Sequence, residues 1–343
     1  MRRASRATHC VWRFFLPALA LALIAGTMPR AASAGPRLVV VEENDALASN
    51  RDYGYTQGLR ASLVFDVHQG NGGVNTAFDM LLGQKSAVQR QIEWIMVGQS
   101  IFTPANKKLT PPDPLDRPYA GWLYTGVSLA QETARRQLDS FEILAGVVGS
   151  SAFGRQVQNS FHSMQGGSAQ VRGWDYQLRD EPALLVAWDR RWKFGYVFDN
   201  DFGVDFIPSV GVTLGNVYTY ASAGGMMRFG RSLSSTWGPT RVRPSLSGAS
   251  FFTPTETGEL GFAFFAGAEG RAVARNVFLD GNTFTDSRSV DSHAFVADFT
   301  AGAEVFTNAG SRLAVSVTKR TEEFRNQPGD GDLFGAVEVN VRF

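Results

Sequence analysis

The chain closes on LFGAVEVNVRF, residues 333–343. In an extended backbone Val337, Val339, Val341 and Phe343 share one face, and Glu338, Asn340 and Arg342 share the other. Strict period two, apolar on one side and polar on the other, suits a strand with lipid outside and a polar lumen inside. Soluble sandwiches also alternate, so the rest of the chain has to decide. It carries 36 glycines and 12% aromatic residues, and after its first residues it has no apolar run long enough for a spanning helix. With the closing aromatic strand, these features favour a transmembrane antiparallel β-barrel, all-β, over a sandwich.

The opening, MRRASRATHC VWRFFLPALA LALIAGTMPR AASA, has arginines first, an apolar run from Phe14 to Ile24, and small residues at Ala32, Ser33 and Ala34. This pattern is that of a cleaved secretory leader over residues 1–34, leaving 35–343 as a single barrel domain. Cys10, the one cysteine, falls inside the leader. The exported chain then has no disulfide, no thiol nucleophile and no Cys-based zinc site. A net charge of +1 lacks the basic footprint of a nucleic-acid binder.

Alternating or apolar runs bounded by turn residues fall at 37–44, 55–66, 89–102, 121–133, 138–149, 183–194, 203–214, 217–229, 259–273, 293–307, 312–325 and 333–343. They predict about twelve strands, an even number as a closed bacterial barrel requires. If the mature amino terminus starts in the periplasm, strand parity brings Asn44-Asp45, the start of the second strand near Thr56, the 103–120 loop and the 150–182 segment to the extracellular rim. Surface exposure is expected near Gly72, Asp113 and Gly167. The stretch VGSSAFGRQVQNSFHSMQGG (148–167) has the pattern of a short helix set in such a loop.

The polar residues of that rim could carry chemistry. Glu42, Glu43, Asn44 and Asp45 crowd the exit of an apolar strand, and their oxygens suit a hard cation such as calcium, although solvated strand ends look alike. In the second strand Leu59, Ala61, Leu63 and Phe65 form the larger apolar set, so Thr56 is expected to point into the lumen beside Asp45. Gln158 and His162 are four apart and share a face of the predicted helix. His162 is the one histidine of the mature chain at this rim, with a pKa suited to a general base. Lys107 could stabilise an oxyanion or a substrate phosphate. No G-x-S-x-G serine pattern is present.

In order, EENDALA (42–48), DYGYTQGL (52–59), PANKK (104–108), DRPYAGWLYTGVSL (116–129), GRQVQNSFHSMQG (154–166), GWDYQLRDEP (173–182) and WGPTRVRPSLSGASFF (237–252) resemble the lipid A 3′-O-deacylase family of Gram-negative outer membranes. The resemblance implies a twelve-stranded barrel whose site, between wall and outer loops, hydrolyses the 3′-linked acyloxyacyl ester of lipid A with Ca²⁺. It implies His162 as base, Gln158 beside it, Asn44 and Asp45 as the polar pair that ends the first strand, Asp45 and Asn44 toward the metal, Thr56 opening the second strand, and Lys107 in the loop. The expected substrate is lipopolysaccharide in the outer leaflet, the expected state a membrane-embedded monomer. A passive porin, a surface-binding barrel and a phospholipase remain alternatives.

Overall fold

The computed structural model describes residues 35–49, 53–67, 72–83, 87–164, 171, 173–198, 201–244, 250–253, 260–307 and 310–343. The expected leader, 1–34, and the expected exposed site near Gly167 lie outside them. The strands are β1 (Arg37–Asn44), β2 (Gly54–Asp66), β3 (Ala87–Thr103), β4 (Ala120–Thr133), β5 (Gln137–Val148), β6 (Glu181–Trp192) and β7 (Phe194–Val197). After them come β8 (Phe202–Gly215), β9 (Tyr218–Arg231), β10 (Leu260–Asn276), β11 (Phe295–Thr307), β12 (Arg312–Arg320) and β13 (Leu333–Arg342). Among the described residues three α-helices intervene: α1 (Gly72–Leu82), α2 (Gly154–Met164) and α3 (Val277–Asp280).

Consecutive strands pair antiparallel except β6 and β7, which both pair with β8, and β1 pairs with β13, so the sheet closes on itself. β7 is the continuation of β6. Arg191 opposes Ser209 and Phe194 opposes Phe206 in one unbroken register, interrupted only at Lys193. The barrel is therefore twelve-stranded, as expected from the sequence. β1 keeps its predicted bounds, whereas β12 ends at Arg320, short of the predicted Arg325.

Alternation divides the wall. Val127, Ile143, Val212, Met227, Phe229 and Phe264 are exposed on its outer face, the apolar band a bilayer requires. The inner face is charged and almost fully paired. Arg60 reaches Glu93 and Glu142, each at 2.9 Å; Arg228 holds Asp205 at 2.5 Å; Arg271 and Arg320 share Asp298 at 2.9 Å. Buried charges survive only when paired and hydrogen-bonded.

The β9–β10 connection emerges at the rim that holds both chain ends and turns back into the bore. Lys193 Nζ donates to the Thr236 carbonyl at 2.7 Å and lies 4.3 Å from the Trp237 ring centre. Arg241 donates to Glu43 at 2.8 Å, Arg243 Nε to Glu142 at 2.6 Å, and Arg320 takes the Pro244 carbonyl near the far rim. The Ser250 hydroxyl donates to Glu93 at 2.7 Å, and Phe252 returns to the terminal end beside Gln91. At the far rim α3 closes the mouth, its Phe278 stacked on Phe102 at 4.2 Å and packed near Trp122 and Tyr218.

α1 corrects one expectation. It follows β2, which runs toward the chain ends, so strand parity puts Gly72 at the terminal rim and not with Asp113. Val74, Phe78 and Leu82 recur at helical spacing and pack on Ile92, Leu129, Phe141 and Trp188 of the barrel wall. Arg90 pins the helix through Asp79 at 2.6 Å and Asn75 at 2.8 Å.

Candidate active site

Near the far rim the outer face of β1 to β3 stops being apolar. In β1 the inward set is Arg37, Val39, Val41 and Glu43, so Glu42 and Asn44 face outward. Asn44 is paired in register with Gln57 of β2, and Glu42 faces both of their side chains. On β3, Phe102 packs in the interior cluster, which turns Gln99, Ile101 and Thr103 outward. Polar side chains on a wall face meant for lipid need a covering layer, and over β3 and β4 α2 with the 173–176 turn provides it.

Close approach of backbones seats that layer. A Cβ on Gly121 of β4 would come within 3.1 Å of the Ala152 Cβ and 3.5 Å of the Gly154 Cα; one on Gly154 would meet the Trp174 ring at 2.6 Å. Gln99 Nε2 donates to the Ala152 carbonyl at 2.6 Å, fastening the turn before α2 to the wall. Ile101, Tyr119, Val171 and Trp174 form the apolar cluster beneath, joined by Val157 of α2. Asp180 completes the seat by accepting from the Ser151 amide at 2.8 Å and the Ser151 hydroxyl at 2.6 Å.

The predicted residues fall as follows. Asn44 ends β1 and caps the one-turn helix Asp45–Leu47, its Oδ1 accepting from the Ala46 amide at 2.9 Å. Asp45 is 3% exposed. Gln158 is equally buried, its Oε1 accepting from Trp174 Nε1 at 2.7 Å. His162 lies one turn further along α2, and its side chain is outside the described residues. Lys107 sits half-buried in the β3–β4 connection, which Asp116 braces by accepting from the Ala105 amide at 2.7 Å. Burial pushes the Asp116 carboxyl up, against the amides of Ala105 and Arg117 and the Arg117 charge.

Thr56 departs from expectation. A β-bulge between Tyr55 and Gln57 adds one residue to β2, so Tyr55 keeps the lumen and Thr56 leaves it. The Thr56 hydroxyl lies 2.8 Å from that of Thr103, on the Ile101 side of the wall. Glu43, which shares the acidic cluster in sequence, is an interior residue held by Arg241 and by the Tyr55 hydroxyl at 2.9 Å.

Gln57, Gln99, Thr103 and Trp174 were not singled out from sequence. A signal for the first three exists: they continue period-two faces that are otherwise apolar. Asp45, Asn44, Glu42 and Thr56 carry oxygen donors of the kind calcium takes. Among the described residues no cluster of three or more His, Cys, Asp or Glu has metal-holding geometry, so neutral oxygens would complete such a site.

A sequence profile of the family described as outer membrane protein LpxR matches residues 14–343. No curated protein matches the chain. Among solved structures, LpxR from Salmonella typhimurium is similar with a TM-score of 0.69 at 22% identity, covering 90% of this chain and 100% of that one. The β domain of the Bordetella autotransporter BrkA (TM-score 0.45, 12% identity, covering 90% of this chain and 99% of that one) is more distant. So is an outer-membrane channel from Pseudomonas putida F1 (TM-score 0.42, 9% identity, covering 91% and 97%).

Proposed function

We propose, since this chain belongs to the family of outer membrane protein LpxR, that it is an outer-membrane hydrolase that removes the 3′-linked acyloxyacyl chain of lipid A. The observation that carries the reading is the polar strip of Asn44, Gln57, Thr56, Gln99 and Thr103, placed on the lipid side of the wall, with α2 seated beside it on Gln99 and Ile101. A substrate whose ester lies at the membrane surface and whose chains lie in the bilayer would reach such a site without leaving the leaflet. A bore filled by paired charges and by residues 232–244 and 250–253 speaks against a passive channel.

In the reaction His162 takes a proton from water as the water oxygen bonds to the ester carbonyl carbon, and the carbonyl electron pair moves onto its oxygen. Collapse expels the sugar 3′-oxygen, which receives the proton, leaving a carboxylic acid and a free 3′-hydroxyl. Lys107 contributes positive charge near the oxyanion, and Gln158 fixes the geometry of the helix face that carries His162. Ca²⁺, when held by Asp45 and Asn44, supplies Lewis-acid polarisation of the ester carbonyl.

Mass spectrometry of lipid A and of phospholipid incubated with the purified protein, with and without chelator, tests this. Loss of the 3′ acyloxyacyl mass from lipid A alone, abolished by chelation and by His162→Ala, is expected. The histidine substitution should cost about two to four orders of magnitude in rate. Turnover of phospholipid with lipid A intact would overturn the substrate assignment, and full activity after exhaustive chelation would remove the metal.

A further inference from the structure

Gln158 has an amide whose two ends are in different states. Its Oε1 accepts the indole N–H of Trp174 at 2.7 Å, while its Nε2 is buried and has no hydrogen-bond partner. An indole N–H can only donate, so the atom facing it must be the amide oxygen. That contact settles the orientation of the whole amide, an assignment usually left to inference. The NH₂ group is therefore held as a donor with nothing to donate to, and a buried donor in that state costs free energy unless a ligand meets it.

Trp174 is itself fixed. It is fully buried, its ring tilted against Tyr119 at a centroid distance of 5.1 Å, and Gly154 leaves the space its six-membered ring occupies. Gly173 lets the turn pass the Tyr119 ring, where a Cβ would approach to 2.3 Å. The tryptophan cannot rotate away without dismantling the seat of α2, so the direction of its N–H is a property of the fold.

We infer that Gln158 Nε2 is a hydrogen-bond donor to the ester carbonyl oxygen of the substrate as it becomes an oxyanion, and that Trp174 is the positioning residue that keeps this donor pointed. The inference rests on the deacylase reading of the site and deepens it. A donor fixed before substrate arrives needs no reorganisation when charge develops, which favours the transition state over the ground state. Trp174 never touches the substrate. It acts by denying the amide its flipped orientation, in which an oxygen would face the oxyanion and repel it.

The test replaces Trp174 by 3-benzothienylalanine, which keeps the ring shape and loses only the N–H, alongside Trp174→Phe and Gln158→Leu. Barrel formation is checked by heat-modifiable gel mobility. Two probes are read: kcat and KM on lipid A, and affinity for a detergent-dispersed alkyl phosphonate, whose charged oxygen mimics the oxyanion. The isostere should lower kcat about tenfold with KM nearly unchanged and weaken phosphonate binding by a similar factor. Gln158→Leu should lose about 10²-fold to 10³-fold in kcat, as expected for removal of one oxyanion donor. A folded isostere with wild-type kcat and wild-type phosphonate affinity would overturn the proposal. If the wild type fails to deacylate lipid A, the substrate reading falls; phosphonate binding weakened by the isostere would still uphold the donor, and unchanged binding would sink it.

Discussion

Glu43 and Asn44 are consecutive in β1 and serve opposite sides of the wall. Glu43 points into the bore, where Arg241 reaches it at 2.8 Å and the Tyr55 hydroxyl at 2.9 Å. Asn44 points outward and caps the turn that carries Asp45. Glu43→Gln should therefore be felt as stability: stripping one partner from a buried ion pair costs about 3–5 kcal/mol, with kcat unchanged in whatever fraction folds. Asn44→Ala should do the reverse, losing about 1 kcal/mol of local capping and most of the activity. Urea unfolding and lipid A turnover, measured on both variants, separate the two roles.

The filled bore makes an electrical prediction. Reconstituted in a planar bilayer, the wild-type protein should show no sustained conductance steps. Arg241→Ala combined with Arg243→Ala removes ties to Glu43, Ser316, Glu142 and Asp189, and should produce flickering openings. Steady porin-like current through the wild type would contradict a closed lumen.

Gly121→Val probes the seat of α2 without touching a polar group. The added side chain has 3.1 Å to the Ala152 Cβ, so the helix must lift from the wall. A displacement near 1 Å can cost about 10²-fold in rate; lipid A turnover should fall by that order while gel mobility stays that of a folded barrel. Normal turnover would mean that the helix does not need its place on β4.

Asp180 gives the seat a pH dependence. Burial alone would raise its carboxyl, but the Ser151 hydroxyl and amide and then Ser150 outweigh it, and the folded value lies below the ordinary 3.8. A depressed carboxylate contributes stability that is complete above its unfolded value and is lost as pH falls through the folded one. Protection of the amides across residues 149–164, taken relative to their intrinsic exchange rates, should therefore be high at neutral pH and fall as the pH drops below 3.8. Asp180→Asn should show lower protection at neutral pH and lack the transition.

The barrel was legible because its pattern is local. β1 and β13 alternate cleanly, and parity then orders every rim. The bulge at Thr56 was not, since one extra residue leaves composition and spacing intact, and while Arg60 and Ser62 keep the bore, Thr56 on the rim side of the bulge turns to the other face. STWGPTRVRPSLSG (235–248) falls between predicted strands, and polar, proline-containing sequence usually means solvent; here Arg241 and Arg243 find carboxylates inside a bore. α1 was hidden among irregular residues for want of an obvious cap. Gln158 was placed on the right helix, but its partner Trp174 comes from a separate turn, and no periodicity links the two.

The returning β9–β10 segment also dictates an order of assembly. Its arginines are neutralised by residues drawn from β1, β5 and β6, and its Thr240 amide meets Glu338 of β13 at 2.7 Å, across 98 positions of sequence. Until β13 zips onto β1, Glu43, Glu338 and Arg312 stand on an open seam with charges that hydrocarbon cannot accommodate. Sealing that seam and lodging the segment are then one cooperative event. A nascent chain must hold this stretch in place as the final strand arrives, much as a cooper closes staves around a form.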